Sequence, residues 1–178
     1  MNTFIALLKG INVGGHKKVP MAELREYLTK CGFQNVQTYI QSGNVVFESN
    51  EKSIQKIEET IMKAILDHFG FEVSVLVKTR EKLKRIFDDS PFSEEKKKAS
   101  YFMMLHDTPE SELVKEASEK IYEDEEYEII KDCIYFFCEK GYGQAKFNAN
   151  FFERKLNTFA TARNYNTMVK LLSLSAEN

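Results

Sequence analysis

Residues Thr3 to Lys9 carry apolar side chains on both alternate faces, with Phe4, Ala6 and Leu8 on one and Ile5 and Leu7 on the other. Such a strand must be covered on both sides, so it belongs in the middle of a sheet. The residues beyond it complete a first structural unit. Pro20 opens a helix where its missing N–H costs nothing, with Met21, Leu24, Leu28 and Cys31 on one stripe and Gly32 at the C′ position. Val36 to Gln41 and Asn44 to Glu48 read as strands around Ser42-Gly43. Ile54, Ile57, Ile61, Ile65 and Phe69 mark a long amphipathic helix ending at Gly70, and Glu72 to Lys78 is the closing strand.

The order β-α-β-β-α-β then recurs imperfectly. Arg80 to Asp88 reads as a connecting helix, and Asp89 to Ala99, with Pro91 and three consecutive lysines, as a boundary. Tyr101 to Leu105 is a strand. Thr108 caps a helix with Pro109 at N1 and Leu113, Ala117 and Ile121 on one face. Tyr127 to Ile130 and Cys133 to Cys138 form a hairpin around Lys131-Asp132, and two helices come after it at about 148–156 and 161–174. The expected fold is therefore α+β, with two lobes related to the ferredoxin-like unit. Residues 1–88 form a βαββαβ lobe with its connecting helix, and 99–178 a βαββα lobe whose closing strand is replaced by helix.

Three polar segments stand outside this apolar framework. The loop from Gly10 to Lys18, with Asn12, Gly14, Gly15, His16 and Lys17, runs from a strand toward a helix start, where backbone N–H groups and a positive dipole end suit an anion. Its spacing imitates a Walker A loop, but His16 replaces the lysine and no Ser or Thr comes next to hold magnesium, so nucleotide hydrolysis by such a loop is excluded. The segment Thr38 to Asn44 adds the amides of Gln41 and Asn44. Val45-Val46-Phe47 after it lacks the paired exposed aromatics of an RNA-recognition strand. The third segment contains Gly141, Gly143 and Lys146, followed by Arg154, Arg163 and Asn164. With Thr161 as N-cap, Arg163 and Asn164 would fall in a helix's first turn, where an arginine opposes the dipole unless it meets an anion.

Charge is unevenly spread although the net is −2. Residues 107–139 hold 12 acids against 3 bases, whereas 140–163 hold 5 bases against 1 acid and 1–30 hold 5 against 2. The overall balance disfavours nucleic acid as the main partner. No apolar run reaches the length of a membrane span, and no secretory leader is visible, which points to the cytoplasm. The 3 cysteines, Cys31, Cys133 and Cys138, suit a reducing compartment; Cys31 falls on an apolar helical stripe, and the odd offset of Cys133 and Cys138 sets them on opposite faces of one strand. His16, His68 and His106 lie far apart in sequence, so neither a metal motif nor a cofactor motif is present. No general acid/base pair is visible, and the sequence assigns no reaction.

The runs Leu7-Leu8-Lys9-Gly10-Ile11-Asn12-Val13-Gly14-Gly15, Lys18 to Leu24 and Thr38 to Phe47 closely resemble a bacterial family known as domain of unknown function 1697. Glu153-Arg154-Lys155-Leu156 and Arg163-Asn164-Tyr165-Asn166-Thr167 resemble its closing motif. This chain has Lys9 where the family usually has Arg, Ala162 for Thr and Tyr165 for Trp. The resemblance implies the fold and no activity. From the residues themselves, the expectation is a binding protein or enzyme for a phosphate-bearing small ligand seated between the lobes. Its candidate residues are Lys9, Asn12, Lys17, Gln41, Asn44, Lys146, Arg154, Arg163 and Asn164, with Gly14, Gly15, Gly141 and Gly143 offering N–H groups. A nucleic-acid-binding module and a ligand-free interaction or scaffold protein are the alternatives, and the oligomeric state is left open.

Overall fold

The computed structural model describes residues 1–176. The first half contains β1 (Asn2–Leu8), α1 (Met21–Lys30), β2 (Gln34–Tyr39), β3 (Asn44–Ser49), α2 (Ile54–Phe69), β4 (Val75–Thr79) and α3 (Arg80–Asp88). The second contains α4 (Glu94–Lys98), β5 (Tyr101–Leu105), α5 (Ser111–Ser118), β6 (Glu125–Ile130), β7 (Cys133–Cys138), α6 (Ala149–Leu156), β8 (Ala160–Asn164) and α7 (Tyr165–Leu174). The strands form two four-stranded sheets, ordered β2-β3-β1-β4 and β6-β7-β5-β8. Every named pairing is antiparallel. This is the expected α+β architecture with a ferredoxin-like-related layout in each half. The chain forms two compact units, Met1–Lys84 with Lys170–Asn178, and Arg85–Val169.

In the first unit β1 is central, and Phe4, Ile5, Ala6, Leu7 and Leu8 are all buried, as its two apolar faces require. Phe4, Ala6 and Leu8 pack in one cluster with Leu24 and Leu28 of α1 and Ile57, Ile61 and Ile65 of α2. Each such aliphatic side chain contributes roughly 1.5–3 kcal/mol of burial. α2 begins at Ser53, whose hydroxyl accepts from the Lys56 amide, and stops at Gly70, whose φ of 79° is left-handed. Cys31, expected on the buried stripe of α1, is exposed instead, because the helix has ended and residue 31 is its C-cap.

The second unit differs from expectation in three places. Its closing strand exists: β8 pairs with β5 from Tyr101↔Asn164 to Leu105↔Ala160. The sequence Ala-Thr-Ala-Arg-Asn has little intrinsic strand preference, and the pairing overrides it. Thr108 does not start α5, which begins at Ser111 with Glu110 in the N-cap place. Because α5 ends at Ser118, Ile121 is not on its buried face and is exposed. The core here gathers Met103, Leu105, Ala117, Ile134, Phe136, Cys138, Phe152 and Leu156. Cys138 belongs to it, Cys133 lies an odd offset away, and the two remain unbridged. Lys97 of α4 is buried, with its ammonium 4.0 Å from the centre of the Phe87 ring.

Candidate functional site

The first glycine loop folds as a small hairpin. The His16 amide donates to the Val13 carbonyl at 3.0 Å and the Asn12 amide to the Lys17 carbonyl at 3.1 Å. Gly14 (φ 58°) and Gly15 (φ 79°) fill the two central positions, and positive φ at both is the mark of a type I′ turn. The glycines therefore satisfy turn geometry. They do not sit at a helix N-terminus, since α1 starts at Met21.

Asn12, itself left-handed at φ 54°, ties this hairpin down. Its side-chain amide donates to the carbonyls of Val19 at 3.0 Å and Gln41 at 2.8 Å, and its Oδ1 accepts from the Val19 amide at 2.8 Å. Asn44 is fully buried, and its amide donates to the Tyr39 carbonyl and the Ser42 hydroxyl. Both asparagines serve the loops that hold them. Gln41 takes part through its backbone carbonyl, and its side chain is exposed.

The third segment already holds an anion of its own. Glu125 is buried, and its carboxylate accepts from the Lys146 amide at 2.5 Å and the Phe147 amide at 2.8 Å. Gly141, at φ 85°, starts a 3₁₀ turn over Tyr142–Gln144, and Gly143 lies within it. Asn148 caps α6 by accepting from the Phe151 amide at 3.0 Å. The ammonium of Lys146 lies 5.0 Å from the Tyr122 ring centre, and Arg154 is exposed on α6.

Arg163 is not in a helical turn. It lies in β8, 7% exposed, and donates to the Thr161 hydroxyl and the Ala162 carbonyl, both at 2.8 Å. Burial lowers its guanidinium pKa to about 10, against the opposing influence of Tyr142. Asn164, expected beside it in the first turn, is the residue that caps α7, its Oδ1 accepting from the Thr167 amide at 2.9 Å.

Two of the candidate cations do share a concave surface. Within the first unit a groove of about 700 Å³ is lined by Lys9, Gly10 and Lys17, by Met62, Lys63, Leu66 and Asp67 of α2, and by Glu72, Val73 and Ser74. Lys9 is fixed through its amide, which donates to the Ser74 carbonyl at 3.0 Å. The Lys17 ammonium donates to the Glu72 carbonyl at 2.7 Å, using one of its three hydrogens. Lys63 pairs with Asp67 at 2.6 Å across one turn of α2. Leu66, one residue beyond the buried Ile57-Ile61-Ile65 stripe, is 43% exposed. Sequence reasoning missed the part played by Lys63, Leu66 and the segment 72–74 that precedes β4. The visible signal was a leucine standing next to the apolar face of α2 among charged residues.

Among the described residues no group of three or more His, Cys, Asp or Glu is placed to hold a metal ion, and no helix is long and apolar enough to cross a membrane.

The family described as "Protein of unknown function (DUF1697)" has a model that matches residues 1–135. The chain belongs to the DUF1697 family. Among solved structures, this DUF1697 chain is similar to the conserved bacterial protein SP0830 from Streptococcus pneumoniae. The two share 26% sequence identity and a TM-score of 0.75 over 98% of this chain and 99% of that one. No curated protein matches it. The family match covers every residue of the lysine-lined groove, whereas Gly141, Lys146 and Arg163 lie beyond it.

Proposed function

We propose that the first unit binds a small anion, a phosphate group foremost, in the groove bounded by the Gly10–Lys18 hairpin, α2 and the Glu72–Ser74 segment before β4. The observation that carries this reading is that three lysines from three separate elements, Lys9, Lys17 and Lys63, line one concavity. Like charges gathered in this way repel, by about 1 kcal/mol for a pair at 4 Å in water and more with partial burial. Asp67 offsets Lys63, the Glu72 carbonyl accepts one hydrogen from Lys17, and with Asp67 and Glu72 both lining the groove the three lysines leave an excess of one positive charge. An incoming anion would complete the balance.

Backbone order supports the same reading. Asn12 ties down the hairpin that carries Lys17, and the Lys9 amide is bonded to Ser74, so two of the cations stand on backbone held in place before any ligand arrives. The volume lies within the range of about 300–1,000 Å³ typical of small-molecule sites. The proposal assigns binding and no reaction.

The test is isothermal titration with inorganic phosphate and pyrophosphate at low salt. Saturable binding that weakens at least fivefold in Lys9→Ala and in Lys17→Ala, with unchanged circular dichroism, is the expected result. No binding, or binding indifferent to both substitutions, overturns the proposal.

A further inference from the structure

We infer that the outer edge of β6, in the second unit, is a docking slot for an extended segment of a partner protein in which lysine or arginine alternates with apolar residues. The inference is independent of the groove in the first unit. It starts from the sheet order β6-β7-β5-β8, in which β6 has a strand on one side only. Three other strands, β2, β4 and β8, also end a sheet, and α1, α2 and α6 respectively run close beside them. Among the described residues no helix runs close along β6 in this way. The backbone there faces outward in a definite phase. The Glu125 N–H leaves the ladder to donate to the Tyr122 carbonyl at 3.2 Å. The N–H and C=O groups of Tyr127 and Ile129, two and four residues on, therefore turn to the same outer side. Such a row of backbone groups is a template for one more strand.

A groove of about 270 Å³ is lined by Glu125 to Glu128, by Lys120 and Ile121, and by Phe92. Its two flanks belong to opposite faces of the sheet. The Tyr127 hydroxyl donates to the carbonyls of Ala117 and Lys120, next to Ile121. Glu126 is joined at 2.5 Å to Lys96, whose ammonium lies 5.3 Å from the Phe92 ring centre. Neighbouring strand residues point to opposite faces, so an added strand would set one row of side chains toward Ile121 and the other toward Glu126 and Glu128. Ile121, at 79%, is the most exposed large hydrophobic side chain among the described residues, and an apolar row would cover it.

Charge selects what fills the other row. Residues 118–128 hold six carboxylates and one lysine. Lys96, Lys140 and Lys146 reach this segment from outside, at Glu126, Asp124 and the Tyr122 ring, which leaves an excess of two negative charges. A second copy pairing antiparallel about Tyr127 would set Glu126 of each copy opposite Glu128 of the other, and like charges directly opposite are destabilising. A basic row meets the same glutamates with opposite charge.

The experiment titrates the ¹⁵N-labelled full chain with a capped heptapeptide of alternating lysine and valine. The controls are the glutamate-valine peptide and a lysine-valine peptide N-methylated on its valines, the residues that would pair with Tyr127 and Ile129. The lysine-valine peptide is expected to shift the amide signals of Tyr127 and Ile129 and to slow their hydrogen exchange at least tenfold. The glutamate-valine peptide should bind at least tenfold more weakly, and N-methylation should abolish binding. Glu128 and Ile121 are exposed, so Glu128→Lys and Ile121→Ser spare the core. Glu128→Lys should weaken the lysine-valine peptide at least fivefold and Ile121→Ser at least threefold. No binding, equal binding of the N-methylated peptide, or binding indifferent to both substitutions overturns the inference. So does a chain that sediments as a dimer with the Tyr127 and Ile129 amides already protected, because a second copy then fills the edge.

Discussion

The carboxylate of Glu125 holds the backbone N–H of Phe147 at 2.8 Å, and its other oxygen holds that of Lys146. A loop that looks in sequence like an anion cradle is thus filled by the protein's own anion. Glu125→Gln leaves one acceptor oxygen for two amides and turns an NH₂ toward the other. Because hydrogen bonds to charged groups are worth about 1.5–3 kcal/mol, the variant should lose about 2 kcal/mol in urea unfolding. An unchanged midpoint would show that water replaces the carboxylate.

Asn12 combines a left-handed backbone with three hydrogen bonds, and the two contributions can be separated. Asn12→Gly keeps the conformation and loses the bonds, at about 1 kcal/mol each. Asn12→Ala loses the bonds and also forces a β-carbon into the left-handed region, which costs about 1–2 kcal/mol more. Denaturant unfolding should rank wild type above Asn12→Gly above Asn12→Ala. Both variants should weaken phosphate binding at the groove, since the hairpin carrying Lys17 would no longer be held to Val19 and Gln41.

Gly43 and Gly70 have nearly the same φ, 81° and 79°, but different surroundings. A β-carbon on Gly43 would meet the Leu8 Cβ at 2.7 Å and the Leu8 carbonyl oxygen at 3.0 Å, while one on Gly70 meets nothing within 4 Å. Gly70→Ala should therefore cost only the left-handed strain, about 1 kcal/mol. Gly43→Ala adds overpacking, typically about 1–3 kcal/mol, and disturbs the contact through which the Leu8 amide donates to the Gly43 carbonyl. Equal melting temperatures for the two variants would refute the distinction.

The Tyr135 hydroxyl is buried and donates to the Ile86 carbonyl at 2.7 Å. Burial pushes its pKa well above the ordinary value of 10.0. In the unfolded chain the phenol ionises near that ordinary value, so above about pH 10 the unfolded state binds fewer protons than the folded one and stability falls as pH rises. Absorbance at 295 nm should show at least one tyrosine that ionises only when the protein unfolds. Tyr135→Phe should remove that late step and lower stability at neutral pH by about 1 kcal/mol for the lost hydrogen bond.

Sequence alone determined the strands and helices whose signal is local. The double-sided apolar run of β1 had to be central, the Ile57-Ile61-Ile65 stripe had to be a buried helix face, and Gly70 had to end it. Those features come from the periods of strand and helix, which neighbouring residues reveal by themselves.

Tertiary structure decided where polar groups find their partners. Asn12 meets a carbonyl 29 positions away, Lys146 a carboxylate 21 away, and Lys17 a carbonyl 55 away. The same asparagine or lysine is a ligand contact or a loop tie depending on those distant atoms, and residue type cannot tell the two apart. β8 shows this for backbone: Ala160–Asn164 is a strand because β5 offers it hydrogen bonds, and that pairing buries Arg163 where a helical turn would have exposed it. The groove likewise needed β1, α2 and the segment before β4 to be placed together before Lys9, Lys17 and Lys63 became neighbours, because a concave surface is a property of packed elements and not of any one of them.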